Sequence, residues 1–395
     1  MKWEKKKFCE CTEYITDGDH QPAPKADKGV HFIKIKDIVN NQVSFDAQVY
    51  VPQEYYDNLP MERKPQKEDV LYTVVGSFGI PSYVQTDELF CFERNIALLH
   101  PNKDIEPRFL YYSLKNPAFY KGIEIVANGS AQKLIPLSKL KDLKISVPDK
   151  EAQRHIADIL SAYDDLIENN QKQIKLLEEA AQRLYKEWFV DLRFPGHENT
   201  KIVDGVPEGW SKSTVGNICK LRKVVITPDK IESNTPYIGL EHMPRNDICL
   251  STWGKSEEIN SNKFIYLKKD VLFGKIRPYF HKVGFALNDG ITSTDTMVMV
   301  ADQNLWGLLL VTVSSDAFVD FSYQNCKEGA KMPRADWKQM EKYAIMIADQ
   351  ATQKLFEQEI LVITNKISAL AFQCRSLREA RDRMLPKLMG GEVEV

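Results

Sequence analysis

A chain of 395 residues is long enough for two or three domains with their own apolar cores, which excludes a small stapled scaffold. Hydrophobic residues make up 43% and charged residues 27%, the balance of a folded globular protein and not of a disordered or collagen-like one. Lys plus Arg number 53 against 55 Asp plus Glu, so a net charge of -2 supplies no global field toward DNA or membrane, and any such binding must use local patches.

Taken in chain order, the N-terminal Met-Lys-Trp-Glu-Lys-Lys-Lys lacks the apolar stretch of a secretion signal. Short β-rich runs follow at Val30 to Val39 and Val70 to Val75, then a helix is expected from Pro107 to Asn116. A glycine loop, Asn128-Gly129-Ser130-Ala131-Gln132-Lys133, precedes Asp149, which stands where a helix N-cap belongs. Beyond it Ile156, Leu160, Tyr163, Ile167, Asn170, Ile174, Leu177, Ala181, Leu184 and Trp188 alternate in steps of four and three, the heptad seam of a long helix.

The second half follows the same plan, with β-rich runs at Phe264 to Phe273 and Thr294 to Val300. Its sharpest feature is the stretch from Lys263 to Lys282. There Lys263, Lys268, Lys269, Lys275, Arg277 and Lys282 interleave with Tyr266, Phe273, Tyr279, Phe280 and His281. Cations there can neutralise phosphates while aromatics and Arg meet bases, although the same pattern describes a solvated hairpin with an apolar inner face. The apolar run from Leu305 to Val313 is far short of the roughly 20 residues that cross a bilayer. A second glycine loop carries Lys331 and Arg334, which with Gln132 and Lys133 of the first could reach base edges, though such loops also serve as ordinary turns. Asp349 repeats the cap, and Phe356, Ile360, Ile363, Ile367, Leu370, Cys374, Leu377, Arg381, Met384 and Leu388 repeat the seam. Pro386 is expected to kink or end this helix about a turn early, before the Gly390-Gly391 stop.

These parallels are an internal repeat. A constant shift of 200 positions superimposes Gly129 on Gly329, Ile145 on Ile345, Asp149 on Asp349, Gln153 on Gln353, Gln173 on Gln373 and Leu177 on Leu377. Upstream, Asp69-Val70-Leu71-Tyr72 resembles Asp270-Val271-Leu272-Phe273. The fold class expected is α+β: two mixed α/β regions, each near neutral in charge, separated by two long helices. Two matched stripes most simply bury each other. A pseudo-two-fold relation makes the helices antiparallel, sends the variable regions to opposite ends, and sets Asn170 against Cys374 and Arg381 against Tyr163, near Asp164 and Asp165. The boundaries read as 1–148, a long helix over 149–193, a linker at 194–204, a second variable region over 205–347 and a second long helix over 348–395.

Signs of chemistry are missing from the sequence. Cys9, Cys11, Cys91, Cys219, Cys249, Cys326 and Cys374 are scattered without a C-x-x-C pair or zinc spacing, and the seven histidines form no ligand pattern. Asn116-Pro117-Ala118-Phe119 lacks the second proline of an amino-methyltransferase motif, and Gly254-Lys255-Ser256 has Cys249 where a phosphate loop needs its first glycine. The expectation is reduced thiols, no metal, no cofactor, no membrane span and a cytoplasmic location.

Three segments carry a resemblance: Pro148 through Asp158 with Gln153; Glu187-Trp188-Phe189-Val190-Asp191-Leu192-Arg193-Phe194-Pro195-Gly196 with Val206-Pro207-Glu208-Gly209-Trp210; and Arg383-Met384-Leu385-Pro386-Lys387-Leu388-Met389-Gly390-Gly391. With the layout of variable region and long helix, each twice, they resemble the specificity subunit of type I restriction-modification systems. The resemblance implies two target-recognition domains reading a bipartite sequence in double-stranded DNA, and the divergence of the two variable regions makes an asymmetric target the expectation. The resemblance also implies a coiled-coil ruler between them, and because the rod must hold the half-sites on one face of the duplex their centres are expected about one turn, 34 to 36 Å, apart. It implies two modification subunits using S-adenosylmethionine and two restriction subunits using ATP and Mg, with no active site in this chain. Two other readings stay open: a coiled-coil scaffold that reads no DNA, and a DNA methyltransferase or nuclease with its own centre.

Overall fold

The computed structural model describes residues 2–39, 41–127, 134–257, 259–301, 304–326 and 332–394. Gln132, Lys133 and Lys331 lie outside the described residues. The main helices are α1 (Pro107–Lys115), α2 (Pro117–Ala127), α3 (Lys150–Tyr185), α4 (Trp306–Val313), α5 (Asp316–Gln324) and α6 (Gln350–Met389). The chain forms two compact units, one from Met1–Leu166 with Leu377–Val395 and one from Ile167–Ser376, so α3 and α6 contribute to both.

In the first unit a four-stranded antiparallel sheet runs in the order Thr12–Asp17, Ile96–Pro101, Val70–Thr73, Pro81–Tyr83. A second sheet joins Tyr50–Val51, Val30–Ile33 and Phe90–Phe92, and Glu4–Lys7 pairs with Lys144–Val147. Val70, Leu71 and Tyr72 are all fully buried, because the strand is covered on both faces. One face packs on α1 and on Ile156 and Leu160 of α3, where Leu385, Leu388 and Met389 of α6 close the core.

The second unit repeats this plan with unlike side chains. Cys219–Leu221, Thr296–Ala301, Val271–Gly274, Val283–Ala286 and Cys249–Leu250 form a five-stranded sheet. Val225–Ile226, Lys263–Tyr266, Gly290–Thr292 and Tyr237–Ile238 form the smaller one, and Ser211–Thr214 pairs with Ala344–Ile347 as Glu4–Lys7 does with Lys144–Val147. The apolar run of α4 is buried along nearly its whole length between the large sheet and the long helices. The expected run from Phe264 to Phe273 is thus two strands in different sheets, and Tyr266 and Phe273 are buried core residues.

Caps behave as the local chemistry demands. Asp149 Oδ1 accepts the Ala152 N–H at 3.0 Å, and Asp349 Oδ1 accepts those of Ala351 and Thr352 at 2.9 and 3.1 Å. Within each unit the long helices run antiparallel. In the first, Arg381 bonds Asp164. In the second, Asn170 Nδ2 donates to Gln373 Oε1 at 3.4 Å, the Cys374 thiol donates to the Ile167 carbonyl at 3.7 Å, and Phe356 packs against Trp188 and Phe189.

Pro386 does not end α6, which runs on to Met389. Leu385, Leu388 and Met389 are buried around it, so packing holds a last turn that the missing N–H of proline would otherwise loosen. The α3 end departs from regularity in a π turn, Lys186–Val190. Phe189 of this turn and Phe194 beyond it pack tilted against Trp210, with ring centroids 5.2 and 4.6 Å away, and fix the path of the exiting chain.

Candidate nucleic-acid interface

Apart from Lys263, which begins a strand of the smaller sheet, the described cationic candidates of the second unit lie on two turns and one connecting segment beside the five-stranded sheet. Lys268 and Lys269 form the turn before Val271–Gly274. Buried Asp270 holds that turn by accepting the Leu267 N–H at 2.8 Å and the Arg222 Nε–H at 2.8 Å. Lys269 adopts φ +73° and lays its ammonium 5.6 Å from the Trp306 ring centroid. Lys268, Lys269, Trp306, Lys354 and Gln358 line a cleft of about 510 Å³. Both turn lysines are exposed.

The next turn, from Lys275 to Lys282, joins Val271–Gly274 to Val283–Ala286 and sorts its cations into two kinds. Lys275 donates to the Thr294 carbonyl at 2.6 Å, Lys282 to the Leu240 carbonyl at 2.5 Å, and His281 Nε2 pairs with the Ser314 carbonyl at 2.8 Å. Burial holds the Lys275 and Lys282 ammoniums below the ordinary lysine range, and nearby Arg245 adds to the effect at Lys282. Lys263 is similar: it is buried in its strand, donates to Ser261 Oγ at 2.6 Å, and burial lowers its pKa. These groups brace backbone carbonyls.

Arg277 is of the second kind, and Tyr279 of the same turn and Arg334 of the segment bridged to Ile276 accompany it. Tyr279 is exposed and packs edge-on to Phe280 and Tyr323. Exposed Arg334 pairs with Asp295 at 3.1 Å, and its backbone bridges Ile276. Arg277 has φ +52°, in the left-handed region, and its guanidinium lies 5.7 Å from the Phe280 ring centroid. Arg245, from a separate loop, lies over the same ring at 3.9 Å. Its pairing with Phe280 escapes sequence reasoning, since 35 residues separate them; the only hint is the turn-forming Pro244 and Asn246 on either side.

The first unit has the same turn with different contents. Asp69 accepts the Gln66 N–H at 2.7 Å, as Asp270 does that of Leu267. Ile135 N–H bonds the Val74 carbonyl and Ala335 N–H the Lys275 carbonyl, both at 2.9 Å. Where the second unit has Arg277 and His281, the first has Gly76 at φ +71° and Gly79 at φ +86°. Its tip is aromatic, Phe78 stacking on Tyr120 with centroids 5.8 Å apart.

The seam positions named from sequence are buried or half-buried in their units. Two polar members have partners. Asn170 meets Gln373. Arg381 enters a cluster in which Asp164 also accepts the Tyr112 hydroxyl at 2.8 Å and faces Lys115 at 3.5 Å. Burial opposes ionisation of Asp164, yet Lys115, Arg381 and these hydrogen bonds prevail and hold its pKa below the usual value. Among the described residues no group of three or more His, Cys, Asp or Glu could hold a metal ion, and no helix is long and apolar enough to cross a membrane. The arrangement presents cations, aromatics and hydrogen-bond donors on turns, a surface suited to phosphates and base edges.

The family model described as "Type I restriction modification DNA specificity domain" matches residues 2–179. The chain is similar to the type I restriction enzyme MjaIX specificity subunit of Methanocaldococcus jannaschii, at 26% identity over 332 residues that cover 76% of this chain and 72% of that one. It is 30% identical over 170 residues to the type I restriction enzyme HindI specificity subunit of Haemophilus influenzae, covering 41% and 36%. Among solved structures, the S subunit of a type I restriction-modification system from M. genitalium shares the fold, with a TM-score of 0.58 at 17% identity, over 98% of this chain and 96% of that one.

Proposed function

We propose that the chain is a type I restriction-modification specificity subunit whose residues 1–148 and 205–347 are two target-recognition domains reading the two parts of one bipartite DNA sequence. It is the recognition subunit and not a catalyst, acting with methylase and restriction subunits on double-stranded DNA. The helical regions, 149–193 and 348–395, serve as spacer and scaffold through their apolar seams. Two methyltransferase subunits supply S-adenosylmethionine chemistry, and two restriction subunits bring ATP and Mg, in the cytoplasm. Of the cationic candidates, exposed Lys268, Lys269 and Arg334 serve phosphates, while inward-turned Lys263, Lys275 and Lys282 hold the turns in shape.

One observation carries this reading: a single head is built twice with unlike tips. The same turn holds Gly76 and Gly79 in one unit and Arg277 and His281 in the other. A common frame with different chemistry at the same place suits an asymmetric target, whose halves must be read by different side chains.

The test exchanges residues 1–148 for those of a relative and sequences the methylated adenines made by the assembled complex. One half of the recognised motif should change and the other persist. Alteration of both halves, or methylation without sequence preference, would contradict modular reading. A scaffold that reads no DNA predicts no sequence-dependent gel shift, with the partner subunits or without them.

A further inference from the structure

The Phe280 ring carries two guanidiniums, and this is the least explained feature of the second unit. Arg245 lies 3.9 Å and Arg277 5.7 Å from its centroid. Among the described residues neither guanidinium has a hydrogen-bond or carboxylate partner, although Arg245 is exposed and Arg277 half-buried. Lys282 adds a third positive charge close by. The Asn246 N–H donates to the His281 carbonyl at 3.1 Å, which ties the Arg245 loop to the turn that carries Arg277.

Backbone strain sharpens the point. Positions 76 and 79 of the first unit show that this turn needs two left-handed residues, and glycine there meets the need without penalty. The second unit places Arg277 and His281 at φ +52° instead, a conformation that costs an L side chain energy. For His281 the fold gains something in return, since its ring is held by the Ser314 carbonyl and faces Asp316 at 3.3 Å. For Arg277 the side chain gains only the ring contact, so its reason for being there lies outside the chain.

We infer that Arg277, braced with Arg245 on Phe280, is the base-reading group of the second unit and takes the O6 and N7 edge of a guanine in the major groove. This rests on the recognition reading above and assigns it to one side chain. A guanidinium laid against a ring keeps its planar fork while losing rotamer freedom before DNA arrives, so less order is lost on binding. Arg245, on the same ring, is the positioning residue that keeps the fork outward by charge repulsion and shared packing. The first unit, with glycines at both places, must read its half-site through other residues.

The experiment uses the full chain assembled with its methylase subunits, and a DNA library randomised across the target. Arg277→Ala and Arg277→Lys should both relax discrimination at one base pair of one half-site, by about 5-fold to 150-fold, since Lys keeps the charge but loses the bidentate fork. The other half-site should be unchanged. Arg277→Gly should relax the same base pair while unfolding at a higher temperature than the parent, which separates lost recognition from lost folding. An equal loss on all sequences with Arg277→Ala would show a phosphate contact and overturn the assignment, and full discrimination retained by Arg277→Lys would overturn the bidentate fork. A parent complex without sequence preference overturns the recognition reading itself, and this inference with it.

Discussion

Replacing Glu178 with Gln tests how the second unit is pinned to α3. Glu178 is 6% exposed, and its Oε1 accepts the N–H groups of Ile248 at 2.9 Å and Cys249 at 3.2 Å. Burial, with the Asp247 charge nearby, pushes its carboxyl up to about 8 from an ordinary 4.5, against the pull of the two N–H bonds. The sign follows from linkage. At pH values between these limits the folded chain holds a proton that the unfolded chain has released, so stability falls as pH rises, by about 1.4 kcal/mol per pH unit. At pH 7 the loss is about 3 kcal/mol, and above pH 8 it levels off near 5 kcal/mol as an upper bound. Gln keeps the accepting oxygen and never ionises. Glu178→Gln should therefore match the parent near pH 4 and exceed it by about 3 kcal/mol at pH 7, or roughly 6 to 12 °C for a unit of this size. Thermal unfolding of both proteins at several pH values between 4 and 9, followed by tryptophan fluorescence, measures the difference. Parallel curves, or a variant weaker at pH 7, would refute the burial argument.

In the first unit, Asp164→Asn takes the carboxylate from Lys115 and leaves Arg381 only exposed Asp382, at 2.7 Å, and should cost about 3 kcal/mol in urea unfolding. Arg381→Met should cost about 1 kcal/mol or less, because Asp164 keeps Lys115 and Tyr112; equal losses would argue against a shared cluster. The low pKa of Asp164 sets the direction: this contribution is present above about pH 4 and disappears as acid protonates the carboxylate through its folded value. Gly307→Ala puts a methyl carbon 2.9 Å from Ile360 Cβ and from Glu357 Oε2, and so should push α4 off α6 and cost about 1 to 3 kcal/mol in the same assay. Arg277→Gly should stabilise the second unit by about 1 to 2 kcal/mol, visible as a higher urea midpoint; a lower one would mean the turn is not strained.

Much of this architecture is legible in the sequence because its signals are local and periodic. A seam recurring every three or four residues, a carboxylate one turn before it and a constant shift between copies specify two long helices and a duplicated frame. They specify direction too: Asn170 faces the Gln373–Cys374 turn of α6, and Arg381 faces Asp164 beside Tyr163. Side-chain aim is different. A run of lysines and aromatics reads alike whether an ammonium points to solvent or to a carbonyl, and only the packed turns send Lys263, Lys275 and Lys282 inward. Tyr266 and Phe273 belong to the core for the same reason. Pro386 remains helical because burial around the last turn outweighs a rule of local geometry. Arg245 joins Arg277 on Phe280 through two loops distant in sequence, a contact between segments that no periodic pattern encodes. Sequence alone determined the rods, the caps and the repetition. Which charges remain free to meet a partner was decided only when the sheets, loops and long helices came together.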